Sequence, residues 1–452
     1  MAKKISEWLQ KPLYVYLFGL FFLIYRTAQY FPSFEISTFI IFFGVYCSIT
    51  FLFISILQKT GVKKGAHLFI LFVWIYILLF SELSTLFSTA FNLTLRVRYF
   101  GAICLIGFLI LYFFQKKQLN ISEDIFNKPV NFFLLILSFV VLINGIRIAQ
   151  KEKQHEFAIQ NTKAKINSKG AIKKDIIWIL LDEYGAPACL KSELKFADFL
   201  VDSLKQKGFY VYDSMPSRND ITIFSICSLY NLDDTTSLPN FMYAANYLLQ
   251  SVLVKQIKAA GYHFQSLDFL SIANREKFMP LPIFPYNYLD QLLYGKLATI
   301  LTDKFTSITN NERFDTYNHK VIKKLLEETK VKKNAPQFIW AHLLIPHGPY
   351  CRDAKGNFLK NMIDYTEEKN IQAYLDYLTY CNNVVLNTIN QIPDLKNKTI
   401  VISGDHGFRF SYLGVHNPIR KATFCAIYYP NMDTSEFKQI KYLQQLPLHL
   451  HY

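Results

Sequence analysis

No two cysteines in this sequence have the spacing of a metal knuckle, and no internal repeat or low-complexity block is found. Those absences set aside zinc-finger modules and repeat architectures. Of the 7 cysteines, Cys47 and Cys104 fall in apolar runs, leaving Cys189, Cys227, Cys351, Cys381 and Cys425, an odd set that cannot all pair internally. A small-residue cleavage site after the first apolar run is also missing, so that run reads as an uncleaved anchor. Charge is what residues 1–150 lack most. Five runs, roughly 12–31, 36–57, 67–88, 98–115 and 130–148, are too apolar for any soluble surface. Each reaches or approaches the ~20 residues of a bilayer-spanning helix.

The lysines that are present alternate by loop. Lys3, Lys4 and Lys11 precede the first run, Lys59, Lys63 and Lys64 follow the second, and Lys116, Lys117 and Lys128 follow the fourth. The opposite loops hold only Arg26, Arg96 and Arg98. Positive residues stay in the cytoplasm, which puts the N-terminus inside and everything beyond residue 150 on the outer face of a cell or inner membrane. The expected organisation is a five-span transmembrane domain (1–150), a basic juxtamembrane linker (151–174) and an outer domain (175–452). The net charge of +15 does not point to nucleic acid, because much of the excess lies in cytoplasmic loops or in that linker. There the lysines could rest on anionic head groups.

From residue 174 onward the pattern becomes α/β. D-I-I-W-I-L-L at 175–181 suits a strand buried on both faces. A polar periodic stretch from Ser192 to Gln206 reads as one helix closed by Gly208, and F-Y-V-Y-D reads as a second strand. Tyr262–Asp268, Gln337–Leu344 and Thr399–Ser403 are further strands, with helices near 312–329 and 368–392. Alternation of this kind predicts a largely parallel sheet sandwiched by helices. Ligands of such sheets gather beyond the carboxyl ends of the strands.

Three strand ends carry the chemistry. The first runs into Asp182-Glu183-Tyr184-Gly185, the 337–344 strand carries His342 and leads to His347-Gly348-Pro349, and the last ends in Gly404-Asp405-His406-Gly407. Taken singly, an aspartate after a strand is a common helix cap. Together, carboxylate oxygens and imidazole nitrogens at one sheet edge suit a divalent metal, zinc or manganese, with magnesium or calcium as alternatives. The flanking glycines would permit sharp turns that aim Asp405 and His406 at one point.

These residues resemble the alkaline phosphatase superfamily in its sulfatase-like branch, over residues 175 to about 430. I-L-L-D-E-Y-G is similar to the opening metal motif of that branch and S-G-D-H-G to its second. H-L-L-I-P-H-G-P-Y resembles the H-x-x-x-x-H-G-P pattern of lipid A phosphoethanolamine transferases, and Gly414-Val415-His416-Asn417-Pro418 holds the place of their late histidine. Five spans followed by an external domain is also the architecture of those transferases and of lipoteichoic acid synthases. The resemblance implies that Asp182, Asp405 and His406 bind the catalytic metal and that His347 and His416 hold the transferred anion, with His342 a weaker addition. Glu183 matches the second acid of the sulfatase pair, which such transferases usually lack, and it either stands behind a metal ligand, binds a second metal or is a simple helix-start acid.

Such enzymes need a hydroxyl or modified cysteine at a helix start. Thr222, followed by I-F-S-I-C-S-L, lies at the expected distance after the Gly208-led strand and is the expected nucleophile and metal ligand. Ser214 is the alternative, because Ser214-Met215-Pro216-Ser217-Arg218 spells the S-x-P-S-R pattern of formylglycine formation. Ser217 and Ser225 are more remote options. The implied activity is transfer of a phosphoethanolamine- or phosphoglycerol-type head group from a membrane phospholipid to a glycan or lipid acceptor. A membrane-anchored sulfatase or phosphodiesterase, and a non-catalytic protein of the same fold, are the alternatives.

Overall fold

In the computed structural model of the chain, the described residues are 7–29, 34–59, 65–91, 102, 106–107, 109–110, 113, 124–160, 164–167, 173–232, 241–279, 281, 288–293, 310–359, 367–410, 412–414, 416–430 and 436–452. The chain divides into two compact units, Met1–Gln154 with Ile283–Ser307 and His155–Pro282 with Ile308–Tyr452.

The first unit is helical: α1 (Tyr14–Gln29), α2 (Ile36–Lys59), α3 (Ala66–Leu78), α4 (Phe80–Phe91) and α5, which runs from Asp124 to Gln160 and crosses the unit boundary. Among the described residues, Ile36–Lys59 and Ile125–Gln150 are long and apolar enough to cross a membrane. The pair Ala66–Leu78 and Phe80–Ala90, bent by 82°, makes a third if it counts as one span. Helix α1 has 16 residues, which at 1.5 Å per residue reaches only ~24 Å of a ~30 Å hydrocarbon core. Apart from scattered positions, the expected span at 98–115 lies outside the described residues. Several polar groups inside the unit find partners within it, as lipid surroundings favour. Tyr46 donates to the Val15 carbonyl at 2.6 Å, Trp74 to Thr50 Oγ1 at 2.9 Å, and Asn131 to the carbonyls of Leu9 and Lys11 at 2.8 Å. Ile40, Phe51, Phe133 and Phe139 stay exposed, as lipid-facing side chains would. The short helix Tyr288–Leu293, late in sequence, joins this unit by burying Leu292 against Leu23, with Phe39, Phe42 and Phe43 around them.

The second unit is built on a six-stranded sheet. Its strands are β1 (Asp175–Leu181), β2 (Tyr210–Val211), β4 (His263–Leu267), β5 (Gln337–Leu343), β6 (Lys398–Gly404) and β8 (Cys425–Tyr428), in the order β2-β8-β6-β1-β5-β4. The four strands β6-β1-β5-β4 are parallel and β2 and β8 form an antiparallel edge. β3 (Met215–Pro216) and β7 (Ala422–Thr423) make a separate antiparallel pair. Every residue of β5 and β6 is buried, so both faces are covered, and their apolar stretches at 338–341 and 400–402 follow from that.

The expected helix from Ser192 to Gln206 is two. Helix α6 (Pro187–Leu194) ends at Lys195 in the left-handed region (φ 54°), and Asp198 caps α7 (Phe199–Gln206) by accepting from the Leu200 amide. The polar periodicity continues across this break, which is why the sequence reads as one element. The second strand is also shorter than F-Y-V-Y-D suggests, because only Tyr210 and Val211 pair with β8.

Register puts three strand ends level. Leu181 of β1 faces Gly404 of β6 on one side and Leu343 of β5 on the other. Asp182, the residues after β5, and Asp405-His406 therefore leave the sheet at one edge. Helix α8 (Thr222–Asn231) begins at this edge after the β3 turn.

Candidate metal and active site

Each strand end contributes one part of a buried constellation. Asp182, Asp405 and His406 each bring a ligand atom within 4.8 Å of the others, and all three are buried. His406 donates its Nδ1 proton to the Gly407 carbonyl at 2.8 Å, which leaves the Nε2 lone pair facing inward. Asp405 accepts the amides of Glu183 (3.0 Å) and His406 (2.9 Å) on Oδ1. Its Oδ2 has no hydrogen-bond partner among the described residues and lies 3.2 Å from His406 Nε2.

Thr222 is the first residue of α8, and its Oγ1 lies 3.3 Å from both Asp182 Oδ1 and His406 Nε2. The helix start has no side-chain cap, so its amide groups are available to an anion. Ser214 is exposed and outside this cluster. Ser217 and Ser225 are buried in a structural network. Gln444 Nε2 donates to both hydroxyls at 3.1 Å, and Ser225 donates to the Asp405 carbonyl at 2.8 Å.

The glycines beside the Asp-His pair act through space rather than torsion. Neither Gly404 nor Gly407 has a positive φ. A Cβ on Gly404 would meet Thr423 Oγ1 and the Tyr184 carbonyl, and one on Gly407 would run into the carbonyls of Ile419 and Ala422. The sharp-turn expectation gives way to close backbone approach.

The donor chemistry fits a divalent cation. Carboxylate, imidazole and hydroxyl groups converge in a buried space, and the two enclosed polar atoms left unpartnered there, Asp405 Oδ2 and His342 Nε2, belong to this edge. Electrostatics agrees. Burial first, and then Asp405, push the Asp182 carboxyl above its ordinary range. Burial works the same way on Asp405, but His406 and the Glu183 amide outweigh it and hold that group low. Two carboxylates driven apart in this way need a counter-cation for both to ionise.

Around the cluster the other expected residues separate. His342 is buried in β5. Its Nδ1 lies 3.1 Å from both oxygens of Asp268, and its Nε2 points toward Asp182 Oδ2 at 3.8 Å. Asp268 is itself held by Trp340 Nε1 at 2.7 Å and the Leu270 amide at 2.8 Å. His347 is part-buried, with Nε2 3.5 Å from Glu183 Oε2. Glu183 has a left-handed backbone (φ 63°), and its Oε1 accepts from the Arg409 amide (2.9 Å) and Nε (3.3 Å). His416 is exposed, and among the described residues no hydrogen bond or ion pair joins it to the cluster.

Two participants escaped sequence reasoning. Asp268 ends a strand that the sequence does show, and the same strand-end rule applied to Tyr262–Asp268 would have found it. Arg409 stands two residues past Gly407 in plain view, but its partner Glu183 is 226 positions away. No disulfide joins cysteines among the described residues, and Cys227, Cys351, Cys381 and Cys425 are buried.

Fold and site define an α/β enzyme of the alkaline phosphatase kind, accompanied by an apolar helical region suited to membrane anchoring. The family model described as Sulfatase matches residues 175–445, and the chain belongs to that family. Among solved structures it is similar to the integral-membrane lipooligosaccharide phosphoethanolamine transferase A of Neisseria meningitidis (11% identity, 98% of this chain and 91% of that one, TM-score 0.42). It is also similar to the periplasmic domain of EptC from Escherichia coli in complex with Zn (13% identity, 62% and 82% covered, TM-score 0.39). A third is an alkaline phosphatase superfamily protein of Vibrio parahaemolyticus (11% identity, 63% and 70% covered, TM-score 0.36). No curated protein matches the chain.

Proposed function

We propose that this chain is a metal-dependent, membrane-anchored transferase with its catalytic domain on the outer face of the membrane. It moves a phospho-head-group of the phosphoethanolamine or phosphoglycerol type from a phospholipid to a hydroxyl of a glycan or lipid. The observation that carries this reading is the position of Thr222 Oγ1, 3.3 Å from both Asp182 and His406 at an uncapped helix start. The exposure of the competing Ser214 supports the same choice.

Asp182, Asp405, His406 and Thr222 would hold one divalent ion. Bound there, it would lower the pKa of the threonine hydroxyl and offset charge on the phosphoryl oxygens. With its hydroxyl proton already released to solvent, Thr222 Oγ would react as the alkoxide, forming a bond to phosphorus while the bond from phosphorus to the diacylglycerol oxygen breaks. The departing oxygen takes its proton from His342 Nε2, which has no hydrogen-bond partner among the described residues. In the second half the acceptor hydroxyl returns a proton to His342, its oxygen bonds to phosphorus, and Thr222 is released. The α8 amides face the phosphoryl oxygens throughout. His416 faces solvent and has no part in this scheme.

The test is peptide mass spectrometry on protein purified with donor lipids. Trypsin cuts after Arg218 and separates the Ser214 peptide from the one beginning at Asn219. A phospho-head-group adduct on the latter, absent from Thr222→Ala, is expected. Formylglycine at Ser214 without an adduct would favour a sulfatase and sink the proposal.

A further inference from the structure

Arg409 is a permanent cation held by groups around this cluster, Glu183 above all, and its geometry is over-determined. Its amide and Nε donate to Glu183 Oε1, Nη1 donates to the Asp220 carbonyl at 3.2 Å, and Nη2 lies 3.2 Å from His347 Nε2. Of the guanidinium N–H bonds, Nε–H and one on each terminal nitrogen are thereby used. One N–H on Nη1 and one on Nη2 have no partner among the described residues. The side chain keeps 23% exposure, so these donors can be reached. Burial works against its charge, but Glu183, Asp182 and Asp405 outweigh that effect and hold the guanidinium protonated.

The Glu183 geometry explains how this comes about. Its left-handed backbone follows the ligand Asp182 directly, and its amide is spent on Asp405 Oδ1. Its carboxylate turns away to Arg409 and His347. A carboxylate engaged in this way is not the further metal ligand that its position in the D-E pair invites. Planar guanidinium donors match the spacing of oxyanion oxygens, and a donor held in place before substrate arrives costs no reorganisation during reaction.

We infer that Arg409 binds a non-bridging oxygen of a tetrahedral oxyanion, the phosphoryl group being transferred, and that Glu183 is its positioning residue rather than a metal ligand. The inference rests on the phospho-transfer reading for the identity of the anion. Its test uses equilibrium binding and needs no turnover.

Inorganic phosphate is titrated calorimetrically into the metal-loaded full chain in detergent, with metal content measured on each sample. R409A should bind phosphate roughly 10- to 100-fold more weakly, the range of a charge-assisted hydrogen bond, with metal content unchanged. Added guanidinium should restore part of the loss, which a purely structural defect would not allow. E183Q should keep its metal and bind phosphate less tightly than wild type. If R409A fails to fold, R409K, which keeps the charge but not the fork, should still weaken phosphate binding several-fold. Wild-type phosphate affinity in the folded Arg409 variants, or loss of metal from E183Q, overturns the inference. Arg409-dependent phosphate binding without a Thr222 adduct would leave it standing and overturn the transfer reading instead.

Discussion

Asp268 and His342 face each other inside the sheet edge with both carboxylate oxygens 3.1 Å from Nδ1. The pair is fully buried, and Phe269 lies against the imidazole with ring centroids 5.1 Å apart. Burial works against a charged His342, but the Asp268 carboxylate outweighs it and moves the imidazole pKa upward. Nδ1 is thereby committed, and Nε2 is the nitrogen turned toward Asp182.

Replacing Asp268 by Asn should therefore damage more than one bond. Its two oxygens also accept from Trp340 Nε1 and the Leu270 amide, so an amide nitrogen on either side meets a donor. A stability loss of about 1–3 kcal/mol and a roughly 10- to 100-fold fall in kcat are expected. Denaturant unfolding and steady-state kinetics measure the two separately, and an unchanged kcat would remove Asp268 from the mechanism.

Thr222 and Ser214 should respond in opposite ways. Thr222→Val keeps the shape of the side chain and removes the hydroxyl beside Asp182 and His406. Loss of a nucleophile should cost on the order of 10³-fold or more in kcat. Ser214→Ala at an exposed position should stay within about twofold, as surface changes usually do. Reversal of this pattern would reassign the nucleophile.

Gly407→Ala tests the close approach behind the Asp-His pair. The added methyl faces two backbone carbonyls, Ile419 and Ala422, and backbone cannot swing aside as a long side chain can. Overpacking of this kind costs about 1–3 kcal/mol, and here the displaced segment carries Asp405 and His406, two of the residues proposed to hold the metal. Lower Tm together with reduced metal content is expected, whereas a variant with wild-type metal content would show that the loop can yield.

The metal-free protein should have a pH signature traceable to Asp182. Its folded pKa lies above the ordinary carboxylate value because of burial and Asp405. Its contribution to stability is therefore fully present below the unfolded pKa near 4 and is lost as pH rises through the folded value. Relative to wild type, metal-free Asp182→Asn should gain Tm as the medium moves from acidic to neutral pH. The same substitution should abolish tight metal binding. Parallel Tm profiles for the two proteins would show that Asp182 is not strained by ionisation.

The sequence by itself determined the strand-end chemistry of this protein. Buried β-branched runs specify parallel strands, the residue after such a run must leave the sheet at its carboxyl edge, and Asp182, Asp405 and His406 follow from adjacency to those runs. The resemblance to the sulfatase-like branch pointed to Thr222 through its distance after Gly208, and its Oγ1 lies 3.3 Å from Asp182 Oδ1 and His406 Nε2. Local order alone could not carry the rest. The break at residues 195–198 lies within one polar periodicity, and the four-residue β8 is too short to have a period of its own. Only the tertiary structure decided that Glu183 turns from the Asp-His cluster to Arg409, that Asp268 secures His342, and that Gln444 from the tail braces the helix bearing Thr222. Each of those contacts joins residues 74 to 226 positions apart. Contacts at that separation depend on how the strands are ordered and registered, which no local pattern of side chains encodes.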